Sequence, residues 1–244
     1  MFTKTKFLSA IFLASSLSLC AESELDRIIP GEIKNDAFYR SIYRLASSET
    51  VNTILEIGSS SGEGSTEAFV LGIRVNPNHP TLFCMELSRP RFAALARHYE
   101  NDPQVKCYNV SSVPLEVFPS ESEVASFYNN VSSTLRLYTL DRVLGWLRQD
   151  IDYVKTAGVA QTGIELIKTE NHITDFDMVL IDGSEFTGMA EFQFVYGAKF
   201  ILLDDINAFK NYANYKQLLS DPGYELIEQN HQLRNGYAVF KRKS

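Results

Sequence analysis

Five short apolar runs, spaced along the chain with longer mixed segments between them, constrain the fold more than any other feature. They read TILEI at 53–57, TLFCMEL at 81–87, VKCYNV at 105–110, DMVLID at 177–182 and KFILLD at 199–204. Runs this continuous suit strands buried on both faces rather than strands with one wet face. Helix-like segments fall between most of them, such as RPRFAALARHYEN, with Pro90 near its start, where the missing N–H costs nothing. Strand and helix in alternation predict an α/β domain with a doubly wound, mostly parallel sheet. The end of the chain breaks the pattern. YELIEQN and YAVFKR are joined through HQLRNG, and Asn235-Gly236 is a turn signal, so an antiparallel hairpin is expected to close the sheet.

The chain has 244 residues, enough for one such domain, and 45% of them are apolar, so a sizeable core is expected. A net charge of −7 argues against a general nucleic-acid binder, which needs a basic face for the phosphates. Residues 1–21 are set apart. Lys4 and Lys6 precede an apolar run from Phe7 to Leu19, with small residues around Cys20 and Ala21, the layout of a secretory signal peptide. Residues 22–244 then form a single domain. The run is too short for a comfortable bilayer span, and no later segment is long and apolar enough to supply one. Cys84 and Cys107 lie inside apolar runs and are expected to be free thiols.

One connection is far longer than a crossover requires. The segment at about 111–175 reads as an insertion, in which Leu140, Val143, Leu144, Leu147, Ile151 and Val154 recur at helical spacing. That stripe suits a core-facing helix, and an insertion of this size beside a crevice also suits a substrate-covering element.

The segment TILEIGSSSGEGSTEAF carries the first functional signal. Gly58, Gly62 and Gly64 follow a strand and open a helix, but their spacing is neither the dinucleotide fingerprint nor the phosphate loop, and no lysine lies among them. Ligands in open parallel sheets bind at the carboxyl ends of the strands. Glu86 ends the next strand, where an acid can accept hydrogen bonds from both ribose hydroxyls; the plainer alternative is a solvated acid. A glycine loop without phosphate features, beside a ribose acid, suggests a nucleoside ligand lacking a pyrophosphate.

LEIGSSSGEGST, CMEL, FDMVLIDGSEF and FILLDDIN, in this order and with a closing hairpin, resemble the class I S-adenosylmethionine-dependent methyltransferases over about 35–242, apart from the insertion. Within them the chain is most similar to small-molecule O-methyltransferases of the catechol and cephalosporin-hydroxylase-related types. The resemblance implies a Rossmann-like sheet, S-adenosylmethionine as cofactor and a small hydroxylated acceptor. It implies that Glu56, Gly58 and Gly62 shape the pocket for the methionine part, that Glu86 holds the ribose, and that Asn109 to Ser112, including Ser111, lie near the adenine. That last segment lacks the acid often found there.

Asp182, Asp204 and Asp205 end two strands that, as neighbours, would bring three carboxylates to one rim. Such a cluster repels itself unless a cation or protons relieve it, and Mg²⁺ suits an all-oxygen donor set. Lys199 is the one basic residue between Met178 and Ile206, and it should lie at the far end of its strand. In the catechol-type relatives the matching positions ligate a divalent ion that holds the acceptor's oxygens. The alternative is that Asp204 caps the following helix and Asp205 is solvated. Where some relatives carry a lysine or histidine as proton acceptor, this chain has Glu185, which with Asp182 completes the candidate catalytic pair. Two further functions compete: a degenerate, exported binding protein of the same fold, favoured by the signal-like start because the cofactor is made in the cytoplasm, and an NAD or nucleotide-sugar enzyme, which the glycine spacing disfavours.

Overall fold

The computed structural model describes residues 23–243, so the signal-like segment lies outside the described residues. Fifteen regular elements follow the short N-terminal arm: α1 (Ala37–Ser48), β1 (Thr53–Ile57), α2 (Ser65–Val75), β2 (Thr81–Glu86), α3 (Arg89–His98), β3 (Val105–Asn109), α4 (Glu121–Asn130), α5 (Leu140–Ala157), α6 (Gly163–Glu170), β4 (Met178–Ile181), α7 (Gly188–Val195), β5 (Phe200–Asp204), α8 (Phe209–Ser220), β6 (Tyr224–Asn230) and β7 (Tyr237–Arg242).

The strands form one seven-stranded sheet in the order β3-β2-β1-β4-β5-β7-β6. The first five are parallel, and β7 runs antiparallel to both β5 and β6. The chain leaves β1 toward β2 and β3, then returns to lay β4 on the other side of β1. The crevice where the winding reverses is the place open α/β sheets offer to ligands.

Strand alternation divides the core into two layers. Ile54, Leu82, Met178, Leu180, Phe200 and Leu202 pack under α1, α2 and α3. Leu55, Ile57, Met85, Val179, Ile181 and Leu203 pack under α6, α7 and α8. Both faces are dry, which is why these strands read as continuous apolar runs. Cys84 and Cys107 are register partners on β2 and β3 and are free thiols.

The long segment after β3 is two things. Its last helix, α6, is the ordinary crossover, with Ile164 and Ile167 buried against the sheet. The remainder, together with Phe186 from the loop after β4, builds a satellite core of Val124, Leu135, Val143 and Leu147. The stripe on α5 therefore serves the insertion's own core and, through Val154, the crevice. Among the described residues no helix is long and apolar enough to cross a membrane.

Candidate active site

A cavity of about 310 Å³ opens at the carboxyl ends of β1, β2, β3 and β4, a size suited to a small-molecule ligand. Its floor is the loop after β1. Gly58 has φ 92°, and a side chain there would run into the carbonyl of Asp182, so only glycine lets the loop pass beneath β4. The loop is pinned to β2, because the amides of Gly58 and Ser59 both donate to the Met85 carbonyl, at 3.1 and 2.9 Å. The hydroxyls of Ser59 and Ser60 are buried without partners.

Glu86 lines this cavity. Oε2 accepts from the Ser60 amide at 2.8 Å and Oε1 from the Ser88 amide at 2.7 Å. Each carboxylate oxygen has two lone pairs, so both can still accept from a ligand. Burial raises its pKa despite the opposing backbone hydrogen bonds. Ser111 also lines the cavity, with its hydroxyl donated to the Val113 carbonyl at 2.8 Å.

Two of the expected pocket residues act from outside the cavity. Glu56 is fully buried beneath the loop, where Oε2 accepts from the Thr66 hydroxyl at 2.7 Å at the start of α2. Gly62 faces α3, and its carbonyl accepts from the Tyr99 hydroxyl at 2.6 Å. Both shape the loop rather than meet its contents.

Asp182, Asp204 and Asp205 converge, with one oxygen from each lying within 4.8 Å of the others. The cation expected to relieve them comes from the chain itself. Lys210, in the first turn of α8, places its ammonium 2.8 Å from Asp182 Oδ1 and 2.7 Å from Asp205 Oδ2. Arg234, from the turn between β6 and β7, donates to Asp204 Oδ1 at 2.8 Å and also pairs with Asp36. Asp204 does not cap the following helix, whose N-cap residue is Ala208. Burial raises the Asp182 carboxyl to about 6 against the pull of Lys210. Burial would raise Asp205 too, but Lys210 outweighs it and the carboxyl ends below its ordinary value. Burial opposes the Lys210 charge, yet the surrounding carboxylates hold its pKa well above the ordinary value.

Glu185 is not at the cavity. Its Oε1 accepts from the Lys210 backbone amide at 3.3 Å, so it caps the start of α8, a helix whose N-cap supplies no side chain. The expectation of Glu185 as proton acceptor is corrected on this ground: its carboxylate faces backbone N–H groups, not the cavity. Burial pushes it up to about 7.

Other cavity residues were not anticipated. Asp150 on α5 accepts from the Ser184 hydroxyl, and burial raises its carboxyl to about 6. Glu191 on α7 is fully buried, with Oε1 accepting from Ser112 and Thr187. The arm before α1 brings Ile29, Pro30 and Glu32 over the mouth, and Asp26 accepts from the Tyr153 hydroxyl of α5. Arm and insertion thus cover the crevice together.

No protein-family model matches the chain, and no curated protein matches it in sequence. Solved structures do match. The O-methyltransferase TomG from Streptomyces achromogenes, in complex with SAM, aligns at 12% identity and TM-score 0.51, over 85% of this chain and 80% of that one. An O-methyltransferase from Bacillus cereus, in complex with SAH, aligns at 13% identity and TM-score 0.50, over 88% and 84%. A methyltransferase from Geobacter sulfurreducens aligns at 11% identity and TM-score 0.51, over 87% and 82%. The fold is that of the class I methyltransferases.

Two groups that this methyltransferase fold implies can be tested against the residues present. The nucleoside cofactor fits: the unpartnered Ser60 hydroxyl, the glycine floor and the spare lone pairs of Glu86 form a polar cradle of the right chemistry. A divalent ion among the three carboxylates does not fit, because the Lys210 ammonium already stands between Asp182 and Asp205.

Proposed function

We propose that this chain transfers a methyl group from S-adenosylmethionine to a hydroxyl of a small molecule. The observation that carries the reading is one cavity in which the Gly58 loop, Glu86 and Ser111 meet the Asp182–Lys210 pair. The first three residues suit the two ends of a nucleoside-bearing amino acid. The pair beside them suits an acceptor hydroxyl.

S-adenosylmethionine, when bound, supplies an electrophilic methyl carbon on a sulfonium. The residues of the chain then have three tasks. Glu86 would accept hydrogen bonds from the ribose, and the loop after β1 would hold the methionine portion. Lys210 holds the acceptor oxygen, and Asp182, whose Oδ1 is engaged by Lys210, takes the hydroxyl proton through its other oxygen. Bound S-adenosylmethionine would supply its methyl carbon to the acceptor oxygen and keep the electrons of the carbon–sulfur bond as a neutral thioether, while Asp182 would take the acceptor's hydroxyl proton. Alignment and charge placement supply most of the acceleration in such an in-line displacement. The arm and α5 exclude water from the crevice.

A radiolabelled methyl donor and a panel of hydroxylated acceptors, with Asp182→Asn as control, test the reading. Label in a methyl ether formed on an acceptor oxygen, lost in the variant, is the expected result. Label on nitrogen or carbon, or label unaffected by the substitution, contradicts it.

A further inference from the structure

The carboxylate rim carries its own cation. Lys210 Nζ stands 2.8 and 2.7 Å from oxygens of Asp182 and Asp205, and its side chain is only 8% exposed. The third acid, Asp204, is engaged by Arg234 at 2.8 Å. A divalent ion brought to this rim would meet the Lys210 charge within a few ångströms, and such repulsion is severe where water is scarce.

The position of Lys210 is built, not accidental. The next residue, Asn211, is fully buried and donates to the carbonyls of Ile181 and Asp204, at 2.9 and 2.6 Å. Those carbonyls sit at the ends of β4 and β5, so one amide clamps the first turn of α8 across both strands. Asn214, a turn later, donates to the Gly188 carbonyl at 2.9 Å. With the backbone held in this way, the Lys210 side chain has little room to leave the carboxylates.

We propose that the Lys210 ammonium is the resident cation of this site: it stands where a divalent ion would bind, makes methyl transfer independent of metal, and selects acceptors that present a single oxygen. The assignment of the cation rests on the carboxylate geometry. The statement about acceptors rests also on the methyl-transfer reading above. An ammonium has three protons. Asp182 and Asp205 take two, and the group lines the cavity, so one remains for an acceptor oxygen. A hard divalent ion, with six or more positions, could instead chelate two vicinal oxygens. The same three acids thus serve a different acceptor geometry because of one lysine.

The test titrates Mn²⁺ into the intact chain and reads free ion by electron paramagnetic resonance. The wild type should leave the aqueous signal undiminished. Lys210→Met, confirmed folded by near-ultraviolet circular dichroism, should bind one Mn²⁺, and adding Asp204→Asn should weaken that binding at least about tenfold through loss of a ligand. Mn²⁺ bound by the wild type and lost in Asp182→Asn would overturn the proposal, as would a folded Lys210→Met that binds none. Should Lys210→Met not fold, the wild type still decides. With 4-nitrocatechol, a coloured vicinal diol, a saturable Mg²⁺-dependent band shift would overturn the proposal, and an unchanged spectrum would sustain it. A titration of the same samples with S-adenosylhomocysteine keeps the two readings apart, since its failure would remove the methyl-transfer reading and leave the cation result standing.

Discussion

Glu86 Oε2 accepts a hydrogen bond from the Ser60 amide at 2.8 Å, so the acid that ends β2 also braces the loop that ends β1. The proposed ribose contact and the shape of the cofactor floor therefore depend on one carboxylate. Hydrogen bonds to a charged partner contribute roughly 1.5–3 kcal/mol each. Glu86→Ala should lower affinity for S-adenosylhomocysteine at least tenfold, read by calorimetric titration. Glu86→Gln, which keeps an acceptor oxygen, should lose less. Unchanged affinity in Glu86→Ala would remove Glu86 from the cofactor site.

The half-buried carboxyls set opposite pH trends for stability and turnover. Asp150 and Asp182 are raised to about 6 and Glu185 to about 7 by burial. The folded chain thus binds these protons more tightly than the unfolded chain. Their contribution is fully present below the unfolded carboxylate range and is lost as pH rises through 6 to 7, by at most about 1.4 kcal/mol per pH unit for each group. The urea midpoint should fall between about pH 4 and 7 and then level off, and Glu185→Gln should flatten that fall. Transfer, which needs Asp182 ionised, should rise through pH about 6 to a plateau.

Lys210→Met leaves Asp182 and Asp205 without their cation. Removing one partner of a buried ion pair costs about 3–5 kcal/mol, because the remaining charge is stranded. Urea unfolding at pH 8, where the acids are ionised, should show that loss, and lowering the pH should recover part of it by protonating them.

Tyr153 ties α5 to the arm through Asp26. Tyr153→Phe removes that hydrogen bond without opening a cavity, so the melting temperature should change little. The dissociation rate of S-adenosylhomocysteine should rise several-fold, as measured by stopped-flow displacement, if arm and insertion act as one cover.

The five parallel strands were legible because both faces of the sheet are buried, which leaves no alternation to confuse with a helix. The hairpin was legible from Asn235-Gly236, and the position of Glu86 at the cavity from its place at a strand end. The cation is not legible because Lys210 lies beyond Ile206, past both strands, and a loop, not a periodicity, returns it to the rim. Arg234 lies in the HQLRNG turn, where nothing in the sequence points it toward Asp204. Glu185 occupied a position that suggested a base, but its partner, the start of α8, is distant in sequence. The arm at 23–36 has no repeating apolar pattern, since it covers a cavity mouth instead of packing as a regular element.

The most direct measurement is a calorimetric titration of the intact chain with S-adenosylhomocysteine, with NAD and UDP-glucose as controls. One saturable site with a dissociation constant in roughly the micromolar range, equivalent to about −8 kcal/mol, is expected for S-adenosylhomocysteine, and no heat for the controls. No heat with S-adenosylhomocysteine, or saturable binding of NAD at the same cavity, would contradict a methyl-transfer site.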